Sequence, residues 1–420
     1  MPFHSKSFDT VGLWTMAPHT HTQKVSMPSK KKPKEFYSEI DELADSEAFV
    51  NAVRVGFEGV EDPRVQDNLS YPLVDVLIIT LSAILAGANT ILDIYDYAEL
   101  KTDMFQRILK IERTPGYNVF WWLLTRLNPK QIENSLVRWV QELPKGDLEK
   151  LIAVDGKYLR GAARNHKVHL VSAWDSNRSL LLGQVKVNEK SNEITAIPEL
   201  LDALDLKGAT VTIDAAGCQT AIAEKIIEGG GDYVIALKGN QGILQAEADN
   251  FFIQARDVNY EGADCLTATT YEKGHGRIEE REIVVTNQLD WLDCKPKWKG
   301  LQSLIEITSR RTIQGATSEE KRYYISSREL TPEEAGKIVR SHWTIENRLH
   351  WNMDVNFKED QSLASTGNAA ENLAALKRLA STMIRIDLGC IRGTAQRRRQ
   401  AMWDDSWTLK ILSRIFEMKM

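Results

Sequence analysis

Five short apolar segments between residues 151 and 237 constrain the fold of this chain more than any other feature. They read "LIAVDGKYL", "VHLVSAWD", "SLLLGQVKV", "ATVTIDA" and "YVIALK", and each has the length and composition of a β-strand. Amphipathic segments typical of helices precede and follow the fourth, "TAIPELLDAL" and "QTAIAEKIIEG". This order predicts a mixed sheet that is covered by helices on both faces.

Three strands, a helix, a strand, a helix and a strand is the order of an RNase H-like α/β core, which we predict as the fold class. Three further strand-like segments between about 240 and 320 predict a β-rich insertion in that core. The region before the core reads as helices only, and Asn128, Pro129 and Gln131 mark the start of one of them. The predicted units are a disordered tail, an all-α domain, the catalytic core and a basic helical C-terminal region, at residues 1–35, 36–147, 148–371 and 372–420.

Charge and composition describe an ordinary globular protein with local basic clusters. The net charge is −5, with 43% hydrophobic and 26% charged residues, so any contact with a polyanion must come from local cation density. From Asn372 to the C-terminus there are ten Lys/Arg against four Asp/Glu, including Arg397, Arg398 and Arg399. This stretch is either a solvated face or a DNA contact, and both interpretations stay open.

The sequence contains no convincing membrane segment. The longest apolar run, Val76 to Ala88, has 13 residues, whereas a bilayer demands about 20. The four cysteines lack CxxC spacing, which is typical of free thiols in a reducing compartment. We therefore expect a cytoplasmic protein.

Two aspartates stand at the ends of predicted strands. Asp155 follows an apolar run in "AVDGK", and Asp214 follows another in "TIDAAG". Each alone is explained equally well as a strand-end turn residue. In the predicted topology, however, the first and fourth strands are neighbours, and ligands bind outside the carboxyl ends of such strands. The pair therefore predicts a functional site at this edge.

A third carboxylate is expected from the long helix that begins at Thr331. Glu346 lies within it, and His342, His350 and Asp354 share its face at four-residue spacing. This face is interpreted in three ways: a solvated polar stripe, a zinc or iron site that uses the histidines, or a contribution by Glu346 to an all-oxygen Mg²⁺ site. The third interpretation is favoured, because it gives both aspartates a partner.

Three carboxylates suit phosphodiester chemistry. Two Mg²⁺ (or Mn²⁺) ions about 4 Å apart can activate the attacking oxygen and stabilise the leaving one. We therefore predict that Asp155, Asp214 and Glu346 are catalytic and hold divalent cations.

A series of motifs resembles a known family. "IAVDGKYLRGA", "NEITAIPELL", "TIDAAGCQ", "ALKGNQ", "GHGRIEERE", "YYISS" and "HWTIENRLHWNMDVNFKED" occur in the order found in bacterial insertion-sequence transposases of the DDE type. The chain is most similar to the branch that contains the H-repeat-associated proteins of Rhs elements, from about Asp62 to Ser413. The resemblance implies an RNase H-like core and identifies Asp155, Asp214 and Glu346 with the DDE triad.

The chain departs from the wider family at several positions. Many relatives carry Tyr and Arg seven and four residues before the glutamate and Lys seven after it, where this chain has Val339, His342 and Met353. Arg340 and Arg348 are candidates to replace these phosphate contacts. After the "ED" pair, where the family often has basic residues, this chain has Leu363 and Ser365. The loss of these cations would weaken DNA binding.

Further candidate DNA contacts lie in loops. They are Lys157 beside the first aspartate, the "LKGNQ" loop and the "GHGR" loop, whose glycines permit close approach of the backbone. The individual residues are Lys157, Lys238, Asn240, Gln241, His275 and Arg277. Each loop could equally be a simple turn.

The predicted function is that of a DNA transposase, which cleaves at element ends and transfers the strand to target DNA. We expect double-stranded DNA as the partner and a homodimer when the protein is assembled on DNA. Two alternatives stay open: an RNase H-like nuclease without strand transfer, and a domesticated DNA-binding protein without activity.

Overall fold

The fold is described here from a computed structural model. It covers residues 47–64, 69–142, 148–160, 168–188, 191–274, 276–386 and 392–417. The predicted tail at residues 1–35 and the candidate His275 therefore lie outside the described residues. Cys218, Cys265 and Cys294 are free thiols.

One nine-stranded mixed sheet organises the protein, in the order β3-β2-β1-β4-β5-β9-β8-β7-β6. The first five strands fall where the apolar segments predicted them, and their neighbours β6 to β9 extend the sheet on one side. In chain order, the nine strands β1 to β9 are Lys150–Leu159, Val168–Asp175, Leu180–Lys186, Ala209–Ile213, Asp232–Leu237, Cys265–Gly274, Arg277–Thr286, Ser303–Ile313 and Ala316–Ser326.

The register of the central strands brings both aspartates to one edge. β1 is antiparallel to β2 but parallel to β4, and β4 is parallel to β5. Val154 pairs with Ile213, so Asp155 and Asp214, which follow them, emerge side by side from neighbouring parallel strands. The predicted adjacency of the first and fourth strands is therefore present.

The predicted β insertion is a continuation of the main sheet, because β9 pairs with β5. Its three expected strands correspond to β7, β8 and β9. Two elements were not predicted: β6, whose residues are almost all exposed, and the helix Gly242–Asp257. Strand β6 lacks a buried face, so the sequence gives it no alternating apolar pattern.

Helices occupy both faces of the sheet. In chain order, α1 to α14 are Glu47–Gly56, Leu73–Leu85, Ile91–Leu100, Thr102–Leu109, Tyr117–Arg126, Pro129–Glu142, Glu193–Asp202, Thr220–Glu228, Gly242–Asp257, Pro332–Thr344, Trp351–Val355, Ala369–Ile386, Thr394–Trp403 and Asp405–Glu417. None of the helices in the described ranges is both long and apolar enough to cross a bilayer.

The helices before the sheet share a hydrophobic core with the helices after it. Leu77 of α2, Leu124 of α5, Leu376 of α12 and Leu412 of α14 belong to one buried cluster, which also contains Trp174 of β2. A second cluster lies beneath α7, α8 and α9 on the other face of the sheet. The division into separate domains stays a prediction. In the described residues, helices from before and after the sheet pack in one hydrophobic core.

The long helix predicted from Thr331 to about Asp354 is present. Thr331 and Glu334 form the expected capping box, which satisfies the free N–H groups of the first turn. Between α10 and α11, residues Ile345–His350 form a π-helical segment. Such segments often occur at functional sites, and this one contains Glu346.

Candidate active site

Backbone N–H groups orient both aspartates. The Gly156 N–H donates to Asp155 Oδ1 at 2.9 Å. Asp214 Oδ1 accepts from the N–H groups of Ala216 at 3.0 Å and Gly217 at 3.4 Å, so that it caps the short turn after β4. These bonds fix the two carboxylates at the point where β4 ends beside β1. Asp155, which was expected at the end of the first strand, lies within β1, because that strand continues to Leu159 in pairing with β2.

Glu346 reaches this edge from the π-helical segment and is solvent-exposed. Its charge, together with that of Asp214, acts on Asp155: burial first, and then repulsion by Asp214, Glu346 and Glu193, raise the pKa of Asp155 to about 7. Burial also raises the pKa of Glu346, where Arg322 opposes the effect and Asp214 adds to it. The three predicted acids are therefore electrostatically coupled and largely uncompensated.

The two histidines of the helix have separate neighbours. His342 Nδ1 lies 3.0 Å from Thr212 Oγ1, and His350 Nδ1 lies 3.5 Å from Asp155 Oδ2. Burial, followed by the charges of Lys157 and Arg378, lowers the pKa of His350 to about 3, and burial lowers that of His342. Both side chains are thus neutral at pH 7.

The carboxylate oxygens of the three acids suit a hard divalent cation, although the three side chains do not converge on one point. Carboxylate oxygens are the ligands that Mg²⁺ and Mn²⁺ prefer, and a bound cation would favour the ionised forms of Asp155 and Glu346, which burial and neighbouring acids disfavour. Within the described residues, no three His, Cys, Asp or Glu side chains are grouped closely enough to hold a metal ion.

Lys157 lies in a cluster of charged side chains that the sequence did not predict. Its ammonium group contacts Asp354 and lies 3.3 Å from Glu359 Oε2. Glu359 in turn pairs with Arg378, and the side chains of Lys157, Glu359 and Arg378 are only 10%, 3% and 0% exposed. Lys157 is therefore engaged in this largely buried network, and its contact with DNA stays a prediction.

The "LKGNQ" loop braces the turn that carries Asp214. Asn240 Nδ2 donates to the Ala215 carbonyl at 2.7 Å, and Gln241 Nε2 donates to the Cys218 carbonyl at 2.9 Å. Lys238 is exposed at the end of β5, on the same edge as the aspartates. Both amides therefore contact this turn, and Lys238, Asn240 and Gln241 all stay predicted phosphate contacts.

Glu346 lines a groove between α10 and strands β6 to β9. The groove has a volume of about 1030 Å³. Eight Lys/Arg and five Glu line it; the cations are Arg277, Arg281, Arg310, Arg311, Arg322, Lys337, Arg340 and Arg348. The predicted Arg277, Arg340 and Arg348 thus share one surface. Arg277 pairs with Glu279 at 2.7 Å, Arg340 with Glu272, and Arg348 donates to Ser179 at 2.6 Å.

Arg322 is a candidate that the sequence did not reveal. It extends from β9, acts electrostatically on Glu346 and lies over the Trp343 ring at 4.9 Å. Val339 and Met353, which replace the Tyr and Lys of many relatives, are buried in the core. Arg322 thus adds a cation from β9 to those on the helix, and it also pairs with Glu320 of its own strand. No local motif signals it, because it comes from a different element.

The three consecutive C-terminal arginines differ in environment. Arg398 is buried and donates to the carbonyls of Asn356, Ile84 and Ala88, so it joins α13 to the helical core. Arg397 donates to the carbonyls of Arg392 and Ile384. Arg399 is exposed, and of the three it is the best placed to meet a phosphate.

Comparison with protein families identifies two matching regions. The family model described as "Transposase DDE domain" matches residues 146–383. The model of the region associated with that domain matches residues 56–140. The first match contains all three predicted acids, and the second coincides with the N-terminal helices.

Curated relatives match along most of their own length. A protein of Escherichia coli (strain K12), named "H repeat-associated putative transposase YhhI", is 35% identical over 364 residues, which covers 84% of this chain and 96% of the relative. Protein YbfL of the same strain matches with the same identity and coverage. A protein of the dhlA 3′ region of Xanthobacter autotrophicus is 38% identical over 282 residues, covering 66% of this chain and 94% of the relative.

Proposed function

Because the chain belongs to the DDE transposase family, we propose that it cuts DNA at the ends of an insertion sequence and joins those ends to target DNA. Membership of the family implies DNA as the substrate and divalent metal ions as cofactors. One observation carries the proposal: Asp155 and Asp214 emerge side by side from parallel strands, and their charges are coupled to that of Glu346. The strand order β3-β2-β1-β4-β5 supports an RNase H-like core.

We assign Asp155, Asp214 and Glu346 as the residues that would hold Mg²⁺ or Mn²⁺, with two ions as the expected number. When bound, the ions would activate the attacking oxygen and stabilise charge on the leaving oxygen. The attacking group is water in the cleavage step and a DNA 3′-hydroxyl in strand transfer.

The remaining residues of the site position its carboxylates. The Gly156 N–H and the turn after Asp214 fix the two aspartates, and Asn240 and Gln241 hold that turn in place. The neutral His342 and His350 pack behind the acids without adding positive charge. Carboxylates that are fixed in this way need less reorganisation when the transition state forms.

We propose that the groove beside Glu346 carries the DNA backbone. Eight Lys/Arg side chains line it, and several of them pair with glutamates in or beside the groove, as Arg310 does with Glu280 and Glu319. Lys238 and Arg322 flank the carboxylates from two different strands and are the proposed contacts nearest to the reacting phosphate. The N-terminal helices would help to recognise element ends, and two copies of the chain would assemble when two ends are joined.

The proposal is tested by incubating the protein with end-labelled DNA of its own element and Mg²⁺. Cleavage at the element boundary followed by joining to a target plasmid is the expected result. Cleavage without joining would favour a nuclease, and specific binding without cleavage would favour a domesticated DNA-binding protein. The variant Asp155→Asn serves as the inactive control.

A further inference from the structure

Glu193, the first residue of α7, has a position that the three-acid site does not explain. Its side chain is 23% exposed, and its Oε1 lies 2.8 Å from Nε2 of His169 on β2. His169 is almost completely buried, with 8% of its side chain exposed, and stacks on Tyr158 at a ring separation of 3.8 Å. A buried histidine, stacked on the largely exposed ring of Tyr158, therefore contacts this carboxylate.

The Glu193 carboxyl group packs directly on the backbone next to Asp155. A Cβ atom built on Gly156 would lie 2.1 Å from Glu193 Oε1 and 2.9 Å from His169 Nε2, which is closer than atoms can approach. Glycine is therefore required here because the carboxyl group occupies the space of a side chain. The N–H of the same glycine donates to Asp155 Oδ1, so Glu193 contacts the residue that orients Asp155.

The contact between Glu193 and His169 leaves hydrogen-bonding capacity unused. Nε2 of His169 is buried and forms no hydrogen bond of acceptable geometry within the described residues. The charge of Glu193 also contributes to the raised pKa of Asp155. A structural acid would normally be paired when it is this close to another carboxylate.

We propose that Glu193 is a positioning residue of the carboxylate site, which fixes the Asp155–Gly156 segment and strengthens the binding of divalent cations. This inference rests on the proposed function. Glu193 acts through Asp155: its bulk fixes the Gly156 backbone, and its charge adds to the potential that attracts a cation. Outer-layer partners of metal ligands commonly contribute a factor of about 10 to 100 in metal affinity.

The test is Mn²⁺ binding to the full chain, measured by electron paramagnetic resonance without DNA. Glu193→Gln keeps the size of the side chain but removes its charge, and we expect about tenfold weaker Mn²⁺ binding. Glu199→Gln is the matched control, because Glu199 lies on the same helix and pairs with Lys130 on the surface. Unchanged Mn²⁺ affinity in folded Glu193→Gln would overturn the inference.

The variant Asp155→Asn separates this inference from the proposed function. If it binds Mn²⁺ as well as the wild type does, the assignment of the site itself fails. If Asp155→Asn loses binding and Glu193→Gln does not, only the role of Glu193 fails.

A pair of variants tests the geometry independently of charge. Gly156→Ala should lower both Tm and Mn²⁺ affinity, because its methyl group meets the Glu193 carboxyl. Adding Glu193→Ala should restore much of the Tm but not the Mn²⁺ affinity. An unchanged Tm in Gly156→Ala, or full recovery of binding in the double variant, would contradict the proposed contact.

Discussion

Two groups of acidic side chains approach the Asp155–Lys157 segment, and they differ in how their charge is compensated. Asp354 and Glu359 are paired with Lys157, and Arg378 also pairs with Glu359. On the other side, burial and neighbouring acids raise the pKa of Asp155 to about 7, with no Lys or Arg in an ion pair with it among the described residues. Lys157 thus belongs to a closed network, in which each acid has a cationic partner, whereas Asp155, two residues before it on β1, lies among acids without such a partner.

The difference indicates which acids stabilise the fold and which serve chemistry. Uncompensated acids cost stability, and such groups cluster at functional sites. Burial also raises the pKa of the paired Asp354, where Lys157 opposes the shift, so the ion pairs distinguish the two groups and we expect the paired acids to be structural. The following variants exchange or remove charges on the two sides.

The largest effect is expected on DNA cleavage. Asp155→Asn, Asp214→Asn and Glu346→Gln should each lower the cleavage rate at least about 100-fold, on the scale of a lost charge-stabilising group. Asp354→Asn should stay within about tenfold of the wild type, since its carboxylate belongs to the closed network. Single-turnover cleavage of element-end DNA measures both. Near-normal cleavage by Glu346→Gln would mean that Asp354 or Glu359, and not Glu346, is the third metal-binding carboxylate.

Stability should respond in the opposite way. Glu359→Gln leaves the Arg378 guanidinium, which is fully buried, without its ionic partner, and breaking such a pair costs about 3–5 kcal/mol. Urea unfolding should show this loss, whereas Glu346→Gln should change the free energy of unfolding by less than about 1 kcal/mol. A Glu359→Gln protein as stable as the wild type would mean that the network is not structural.

A pH-dependent gain in stability is expected from Asp155→Asn. The folded-state pKa of Asp155 is raised to about 7 from its ordinary value of 3.8, so its charged form destabilises the folded protein. This penalty is absent below about pH 4, grows between pH 4 and 7 and is complete above pH 7. Asp155→Asn should therefore stabilise the metal-free protein by up to ~4 kcal/mol at pH 8, and the gain should vanish at pH 4. A gain that is independent of pH would exclude this cause.

The smallest effect concerns adjacent arginines of α13. Arg399→Ala should flatten the log–log dependence of DNA affinity on salt by about 0.9, the value for one phosphate contact. Arg398→Ala should lower Tm instead, because Arg398 binds three backbone carbonyls in the core. Filter binding at several salt concentrations gives the slope. An unchanged slope in Arg399→Ala would remove this helix from the proposed DNA surface.

The sequence predicted the sheet that carries the aspartates because its strands are apolar and short. It also placed the long helix correctly, since Thr331 and Glu334 form a local capping signal. It missed α9, although Leu244, Ala248, Phe252 and Ala255 are buried at helical spacing, because the surrounding stretch was interpreted as β-rich. The exposed β6 has no apolar pattern and depends on pairing with β7, which is a tertiary property.

The carboxylates of the candidate site could be singled out from the sequence, whereas the partners of the neighbouring cations and amides could not. Lys157, Asn240 and Arg398 look like DNA contacts in sequence, yet their partners are other parts of this chain. Arg322 and Glu193 come near the acids from elements distant in sequence. Which polar groups are already satisfied depends on packing, and packing is not encoded in any local motif.

Mapping the bound metal on the polypeptide tests the central claim most directly. Fe²⁺ replaces Mg²⁺, and ascorbate with peroxide then generates hydroxyl radicals that cut the chain next to the ion. The account predicts cuts near Asp155, Asp214 and Glu346 that excess Mg²⁺ suppresses. Cuts confined to the segment from Asp354 to Arg378, or no cuts that Mg²⁺ can suppress, would contradict it.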